Sequence, residues 1–128
     1  MQKLTPVLFV EAIEPVLPFW LDRLGFEKTG EVPHGDRLGF VMLQKGDVEI
    51  MYQTRESVAA DVPSLADTPM GGALLFVQVE DLDAVARALE GIAPVVPRRK
   101  TFYGADELIV REPGGNVVTF AHFAGEPG

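Results

Sequence analysis

Apolar and polar positions along the chain follow a strand–helix–strand order that occurs twice. An apolar run at residues 4–10 is typical of a short β-strand. Pro6 has no N–H to donate, which places this strand at a sheet edge or at a bulge. Helical spacing follows over residues 13–24, and Gly25 suits the position just after a helix. The apolar face of this predicted helix consists of Val16, Leu17, Trp20, Leu21 and Leu24.

The rest of the first half alternates as strands do. Strands are predicted at residues 26–32, 38–44 and 48–53, with turns at residues 33–36 and 45–47. Residues 55–72 contain two prolines and two adjacent glycines. We therefore expect a connector there, long enough for one helical turn.

The second half repeats this order. A strand is predicted at residues 73–79, and a helix runs from an Asp81 N-cap to about Glu90. A strand region is expected to begin at Val95 and Val96. A hairpin of residues 106–111 and 117–123 closes the chain around the loop 112–116.

The two halves also resemble each other in sequence. Residues 10–13 (Val-Glu-Ala-Ile) match residues 79–82 at an offset of 69, and residues 48–50 match residues 118–120 at an offset of 70. An offset repeated in this way indicates two structural modules. The alternative is chance similarity between alternating apolar stretches. The predicted division is a first module at 1–57, a connector at 58–70 and a second module at 71–128.

The amino-acid composition excludes some classes of function and favours others. The formal net charge of -8 argues against nucleic acid, whose phosphates are neutralised by Lys and Arg. It favours a cationic ligand, or it only keeps the protein soluble. Cysteine is absent, which fits a reducing cytoplasm and excludes thiolate ligands. Neither an export signal nor an apolar run long enough to span a membrane is visible, so we expect a cytoplasmic protein with no membrane partner.

Three motifs carry a resemblance to a known family. Residues 19–26 (Phe-Trp-Leu-Asp-Arg-Leu-Gly-Phe) resemble the helix-and-turn signature of glyoxalases and bleomycin-resistance proteins. Residues 111–116 (Arg-Glu-Pro-Gly-Gly-Asn) resemble their closing hairpin, and residues 3–8 resemble the first strand of the bleomycin-resistance branch. The resemblance to this vicinal-oxygen-chelate superfamily implies an α+β fold with two βαβββ modules in tandem, forming a cupped mixed sheet. Trp20 is expected in the core, and Asn116 is expected to bond nearby backbone.

Metal-dependent relatives supply four strand side chains to one divalent ion. The matching positions here are Thr5, Glu49, Leu74 and Thr119. Only Glu49 is an ordinary ligand, and one carboxylate does not hold an ion tightly. His34 falls in a turn and His122 has the opposite strand parity from Thr119. We therefore expect no metal and no other cofactor.

Strand parity predicts the lining of a pocket on the concave sheet face implied by the resemblance. This lining is mostly apolar with a few polar groups, as in small-molecule sites, although the same residues would also fill a closed core. The predicted set is Thr5, Val7, Phe9, Asp47, Glu49, Met51, Gln53, Leu74, Phe76, Gln78, Val117, Thr119 and Ala121. The resemblance adds Tyr103, which precedes Gly104 where the bleomycin-resistance branch has a tryptophan before glycine, and Phe40 on a lining strand.

Two functions remain open from the sequence. The first is a metal-free binding protein that sequesters an antibiotic or another planar or cationic ligand against aromatic rings. The second is a glyoxalase-like or dioxygenase-like enzyme that uses Glu49 as a ligand or as a base with its pKa raised by apolar surroundings. The loop at residues 98–100 (Arg-Arg-Lys) either contacts an acidic group or is solvated. The resemblance also implies a homodimer with pockets between modules of two chains and an exchanged N-terminal strand, with which a proline at the position of Pro6 is associated.

Overall fold

The computed structural model describes residues 1–124, and the chain divides into two compact units, Met1–Gly71 and Gly72–Gly128. Unit 1 contains a four-stranded sheet of β1 (Val7–Val10), β2 (Glu27–His34), β3 (Arg37–Lys45) and β4 (Val48–Thr54). The strand order is β1-β4-β3-β2, in which β1 is parallel to β4 and the other neighbours are antiparallel. β1 is therefore an edge strand, as Pro6 predicted.

The predicted helix over residues 13–24 is not one continuous α-helix. It consists of a 3-10 turn, Glu14–Val16, followed by a π-helix, Pro18–Arg23. Pro18 explains the break, since it has no N–H with which to continue the backbone hydrogen bonds of the preceding turn. The π-helix closes with a 2.9 Å hydrogen bond from the Phe26 N–H to the Trp20 carbonyl, and Gly25 then takes a positive φ of 75°.

The core of unit 1 lies between this helical segment and one face of the sheet. Trp20 is buried, as predicted, and its indole N–H donates to the Tyr52 hydroxyl at 2.9 Å. The ring of Trp20 also makes edge-on contacts with Phe19 and Phe26. The strand residues that cover this face are Leu8, Val10, Val41, Leu43, Ile50, Tyr52 and Thr54, all buried.

The connector after β4 contains more helix than one turn. It forms α1 (Arg55–Asp61) and a 3-10 turn, Pro63–Leu65. The Thr54 hydroxyl accepts a 3.2 Å hydrogen bond from the Ser57 N–H, which caps α1 at its N-terminus.

Unit 2 repeats the topology of unit 1. Its elements are β5 (Leu74–Gln78), α2 (Leu82–Ala88), β6 (Arg99–Lys100), β7 (Ala105–Arg111) and β8 (Val117–Phe123). The order β5-β8-β7-β6 has β5 parallel to β8 and antiparallel pairs elsewhere. Two mixed four-stranded sheets with the same order confirm the α+β fold with tandem modules.

The expected strand beginning at Val95 and Val96 is wrong. These residues form a bend, and β6 is confined to Arg99–Lys100. Pro94 and Pro97 flank the two valines and donate no backbone hydrogen bonds, which prevents a regular ladder there. The Val95 N–H still donates to the Ile109 carbonyl of β7 at 2.8 Å.

The predicted N-cap of α2 is confirmed in unit 2, whereas Asn116, expected to bond nearby backbone, bonds backbone 43 and 44 residues earlier in the chain. The Asp81 carboxylate caps α2 by accepting from the Ala84 N–H at 3.0 Å. The Asn116 side-chain oxygen accepts from the Gly72 and Ala73 N–H groups at 3.2 and 3.0 Å, and so connects the hairpin loop to the residues before β5. Within the described residues, no helix is both long and apolar enough to cross a membrane.

Candidate functional site

The sheet of unit 1 has a second face, opposite the helical segment, that carries the predicted pocket lining. Strand pairing aligns Val7 with Met51 and Phe9 with Gln53, and Gln53 with Phe40. Successive side chains of a strand point to opposite faces, so the predicted residues of this unit share one face. We call this face the open face of unit 1, and its predicted lining residues are Thr5, Val7, Phe9, Phe40, Glu49 and Met51.

Glu49 is held by two residues that precede β1. The Thr5 hydroxyl donates to Glu49 Oε1 at 3.0 Å, and the Lys3 ammonium lies 2.9 Å from Oε2. The Glu49 side chain is only 8% exposed, whereas that of Lys3 is 55% exposed. Both carboxylate oxygens of Glu49 are therefore engaged.

These contacts shift the pKa of Glu49 in the direction opposite to the one expected from the sequence. Hydrogen bonds from Lys3 and then from Thr5 hold the pKa of the Glu49 carboxyl below its usual value, against the smaller opposing effect of burial. The sequence suggested a carboxyl with a raised pKa, and that expectation is wrong because Lys3 supplies a positive charge. A carboxylate with a lowered pKa is a weaker general base.

A cavity of about 430 Å³ opens beside Phe40 at one end of the open face of unit 1. Its walls combine β2, the neighbouring strands and α1, and the Gln53 amide donates to the Ser57 hydroxyl at 3.1 Å. The lining residues are Val32, Pro33, His34, Phe40, Gln53, Ser57, Ala60 and Asp61. Of the predicted site residues, Phe40 and Gln53 line this cavity.

The open face of unit 2 is the face of its sheet opposite α2. Arg98 donates to Asp83 on α2 at 2.8 Å and to Asp106 on β7 at 2.9 Å. The Asp106 side chain therefore lies on the face of the sheet that α2 covers. Side chains of the opposite parity, among them Phe76, Thr119 and Glu107, therefore face away from α2.

The register of unit 2 separates two of the four family positions. Leu74 pairs with Val117, whereas Thr119 pairs with Phe76. Leu74 and Thr119 thus share the open face but are not direct partners. Leu74 is 80% exposed and Phe76 is 55% exposed, so an apolar surface lies open at this edge of the sheet.

Four aromatic rings continue that surface as a row. Phe76 and Phe123 have ring centroids 6.3 Å apart, and Phe123 and Tyr103 follow at 6.2 Å. Phe102 completes the row 5.1 Å from Tyr103. We call these four residues the aromatic row. Rings of this kind can stack on a flat molecule.

A buried carboxylate lies beside the aromatic row, and the sequence analysis missed it. Glu107 is 1% exposed, and it accepts hydrogen bonds from the Tyr103 hydroxyl and from Arg99. Hydrogen bonding to Glu107 raises the pKa of the Tyr103 hydroxyl. Strand parity over β7 would have placed Glu107 on the open face, but its partners come from an edge strand and a turn.

The residues at the four family positions do not fit a divalent metal. Leu74 has no donor atom, and Thr5 and Thr119 offer neutral hydroxyls. Glu49 is the remaining donor, and the Lys3 ammonium on its Oε2 would repel a cation. Over residues 1–124 there is no group of three His, Cys, Asp or Glu side chains that could hold a metal ion. His122 has the opposite strand parity from Thr119, as predicted, and one of its ring nitrogens lies 3.1 Å from the Val79 carbonyl oxygen.

Comparison with protein families gives a match over most of the chain. The model described as the Glyoxalase/Bleomycin resistance protein/Dioxygenase superfamily matches residues 4–120. No curated protein sequence matches the chain significantly.

Solved structures with this fold include binding proteins and enzymes. The bleomycin-binding protein of Streptomyces verticillus, complexed with copper(II)-bleomycin, is 26% identical with a TM-score of 0.62, and the match covers 98% of each chain. A lactoylglutathione lyase from Agrobacterium tumefaciens is 16% identical with a TM-score of 0.75, covering 95% of this chain and 94% of that one. A superfamily protein from Nocardioides is 18% identical with a TM-score of 0.72, covering 100% and 89%.

Proposed function

The chain belongs to the glyoxalase/bleomycin resistance protein/dioxygenase superfamily, and we propose that it is a metal-free protein that binds and sequesters a planar small molecule such as an antibiotic. The observation that carries this proposal is the aromatic row on the open face of unit 2. Phe76, Tyr103 and Phe102 are exposed there, so a flat ligand could stack on them.

The family positions support binding without metal chemistry. The two threonines and Leu74 are poor or impossible ligands, and Glu49 is already bound by Lys3 and Thr5. The same contacts weaken the enzymatic alternative, since they lower the pKa of Glu49. Sequestration needs only affinity, and the similar Streptomyces verticillus protein is a bleomycin-binding protein whose structure contains copper(II)-bleomycin.

We also propose that the protein forms a homodimer. Apolar side chains are exposed on the N-terminal segment and on the open face of each unit outside the aromatic row, namely Leu4, Val7 and Leu74. Exposed apolar surface of this kind is typical of interaction sites. Light scattering on the purified chain should give twice the mass of one chain, and a monomeric mass over a wide concentration range would contradict the dimer.

A thermal-shift screen tests the binding function. Glycopeptide, quinone-like and cationic aromatic antibiotics are compared, and each compound that raises the melting temperature is titrated by calorimetry. Chromatography of the recovered compound must show it unchanged, since conversion would indicate an enzyme. The Phe76→Leu variant keeps an apolar side chain but removes one ring, and should weaken binding by roughly threefold to tenfold.

Val62→Ala is the matched control, because Val62 is an exposed apolar residue outside both open faces. It should bind as the wild type does. Equal loss of affinity in both variants, or no loss in Phe76→Leu, would contradict stacking on the aromatic row.

A further inference from the structure

Arg99 is an exposed cation anchored on a buried anion. Its Nε and Nη2 atoms donate to Glu107 Oε1 at 3.2 and 3.1 Å. The Arg99 side chain is 54% exposed, while that of Glu107 is 1% exposed. The fixed carboxylate therefore orients a guanidinium whose outer part faces solvent.

That guanidinium retains hydrogen-bonding capacity. An arginine side chain has five N–H donors, and the contacts with Glu107 use only the Nε and Nη2 atoms. Among residues 1–124, no side chain or backbone oxygen accepts from Nη1 of Arg99. A guanidinium with a free edge is suited to a carboxylate, which it can bind through two parallel hydrogen bonds.

The same carboxylate connects Arg99 to the aromatic row. Glu107 Oε2 accepts from the Tyr103 hydroxyl, and the Tyr103 ring lies between Phe102 and Phe123 in the row. Arg99 and the Tyr103 ring are thus held by the two oxygens of one buried carboxylate. A ligand stacked on the row would meet Arg99 and would not reach Glu107.

We propose that Arg99 binds a carboxylate group carried by a planar aromatic ligand of the aromatic row. This proposal rests on the proposed function and names the class of its ligand. Glu107 is a positioning residue in it, because it holds both Arg99 and Tyr103 without being exposed to the ligand. A cationic ligand would find no free carboxylate here and would be repelled by Arg99.

Lys100 provides a matched control on the same two-residue strand. The Lys100 side chain is 85% exposed, and its ammonium lies 3.8 Å from Asp106, whose strand parity is opposite to that of Glu107. Lys100→Gln therefore removes the same charge as Arg99→Gln from the adjacent position, but not from the open face.

Three compounds with one ring system test the proposal on the full chain. They are naphthalene-2-carboxylate, its neutral amide and its cationic amidine, each titrated by calorimetry. We expect the carboxylate to bind roughly tenfold more tightly than the amide, as for a hydrogen bond between charged groups. The amidine should bind no more tightly than the amide. Arg99→Gln should reduce the preference for the carboxylate to about onefold, and Lys100→Gln should leave it unchanged.

Arg99→Gln leaves the buried Glu107 carboxylate without its counter-ion and could therefore destabilise the fold. A second variant avoids this problem. Arg99→Gln combined with Glu107→Gln removes both charges and should also lose the preference. Equal binding of all three compounds to the wild type would overturn this inference and leave the proposed function standing. Absence of binding for all three would overturn this inference, and together with a thermal-shift screen in which no antibiotic binds it would overturn the proposed function as well. A preference that survives in the double variant would show that Arg99 does not bind the carboxylate.

Discussion

Lys3 lies 2.9 Å from Glu49 and covers a carboxylate that is almost buried. Arg99 covers Glu107 in unit 2 in the same way, at 3.1 Å. In each unit, a nearly buried carboxylate on the open face, Glu49 or Glu107, is thus paired with an exposed cationic side chain. The formal charge of -8 suggested a cationic ligand, but beside these two nearly buried carboxylates the exposed charges are those of Lys3 and Arg99.

The Lys3–Glu49 pair should make stability depend on pH. Glu49 has a pKa below its ordinary value of 4.5 in the folded chain. Its ionised form therefore stabilises the fold above pH 4.5, and that contribution is lost as the pH falls through the lowered pKa. Urea unfolding of the wild type and Glu49→Gln should show the largest difference near neutral pH and a shrinking one in acid.

Glu56→Gln serves as the control for this pH series. Glu56 pairs with Arg37 at 3.5 Å, and both side chains are well exposed, so the pair should contribute little to stability. A difference between wild type and Glu49→Gln that stays constant or grows in acid would contradict the lowered pKa.

Removing the Tyr52 hydroxyl should destabilise unit 1. Tyr52→Phe leaves the buried Trp20 N–H without the acceptor that it has at 2.9 Å, which costs about 1–3 kcal/mol. Chemical denaturation measures this loss. Trp20 is the single tryptophan of the chain, so its fluorescence reports the same site directly.

The second tyrosine offers a comparison of the same chemical change. Tyr103 is 45% exposed, but its acceptor Glu107 is charged and only 1% exposed, so Tyr103→Phe should cost at least as much as Tyr52→Phe. A clearly smaller loss in Tyr103→Phe would mean that water replaces the tyrosine hydroxyl at Glu107.

Much of the fold was predictable because strands and their faces follow from local alternation. The repeated order of elements in the two halves, the edge position of β1 and the burial of Trp20 all agreed with the sequence. The prediction of one continuous helix over residues 13–24 was wrong in detail, since Pro18 divides it into a 3-10 turn and a π-helix. Its apolar spacing indicated burial but not the helix type.

The candidate site was less predictable because its contacts join residues that periodicity does not relate. Alternation placed Thr5 and Glu49 on one face, but it did not predict that Lys3, outside any strand, would lower the pKa of Glu49. Glu107 received its partners from the short β6 and from the turn before β7. The path of such segments depends on tertiary packing, which the sequence pattern does not specify.

Asn116 should be a structural residue of the closing hairpin. Its side-chain oxygen accepts two backbone hydrogen bonds, from Gly72 and Ala73. Asn116→Ala leaves both N–H groups without that acceptor, so we expect a loss of about 2 kcal/mol in chemical denaturation. Arg111→Gln removes an exposed contact to Gly115 in the same hairpin and should cost much less. Similar losses would argue against this role for Asn116.

Divalent metal should leave the stability of the protein unchanged. A metal that binds only the folded chain, at about 100 times its Kd, would add about 2.7 kcal/mol, which a melting experiment detects easily. With Lys3 and Thr5 on the oxygens of Glu49 and no donor at Leu74, we expect no such shift with Zn or Ni and no stoichiometric metal in elemental analysis.

A variant with restored ligands shows whether the melting experiment can detect a metal at this place. Lys3→Gln combined with Thr5→His removes the competing ammonium and sets an imidazole beside the carboxylate of Glu49. Because imidazole and carboxylate are both ordinary zinc ligands, this variant should gain a zinc-dependent rise in melting temperature. A similar rise in the melting temperature of the wild type would contradict the metal-free function. Metal that stays bound in stoichiometric amount through dialysis would contradict it as well, and would favour a metal-dependent function.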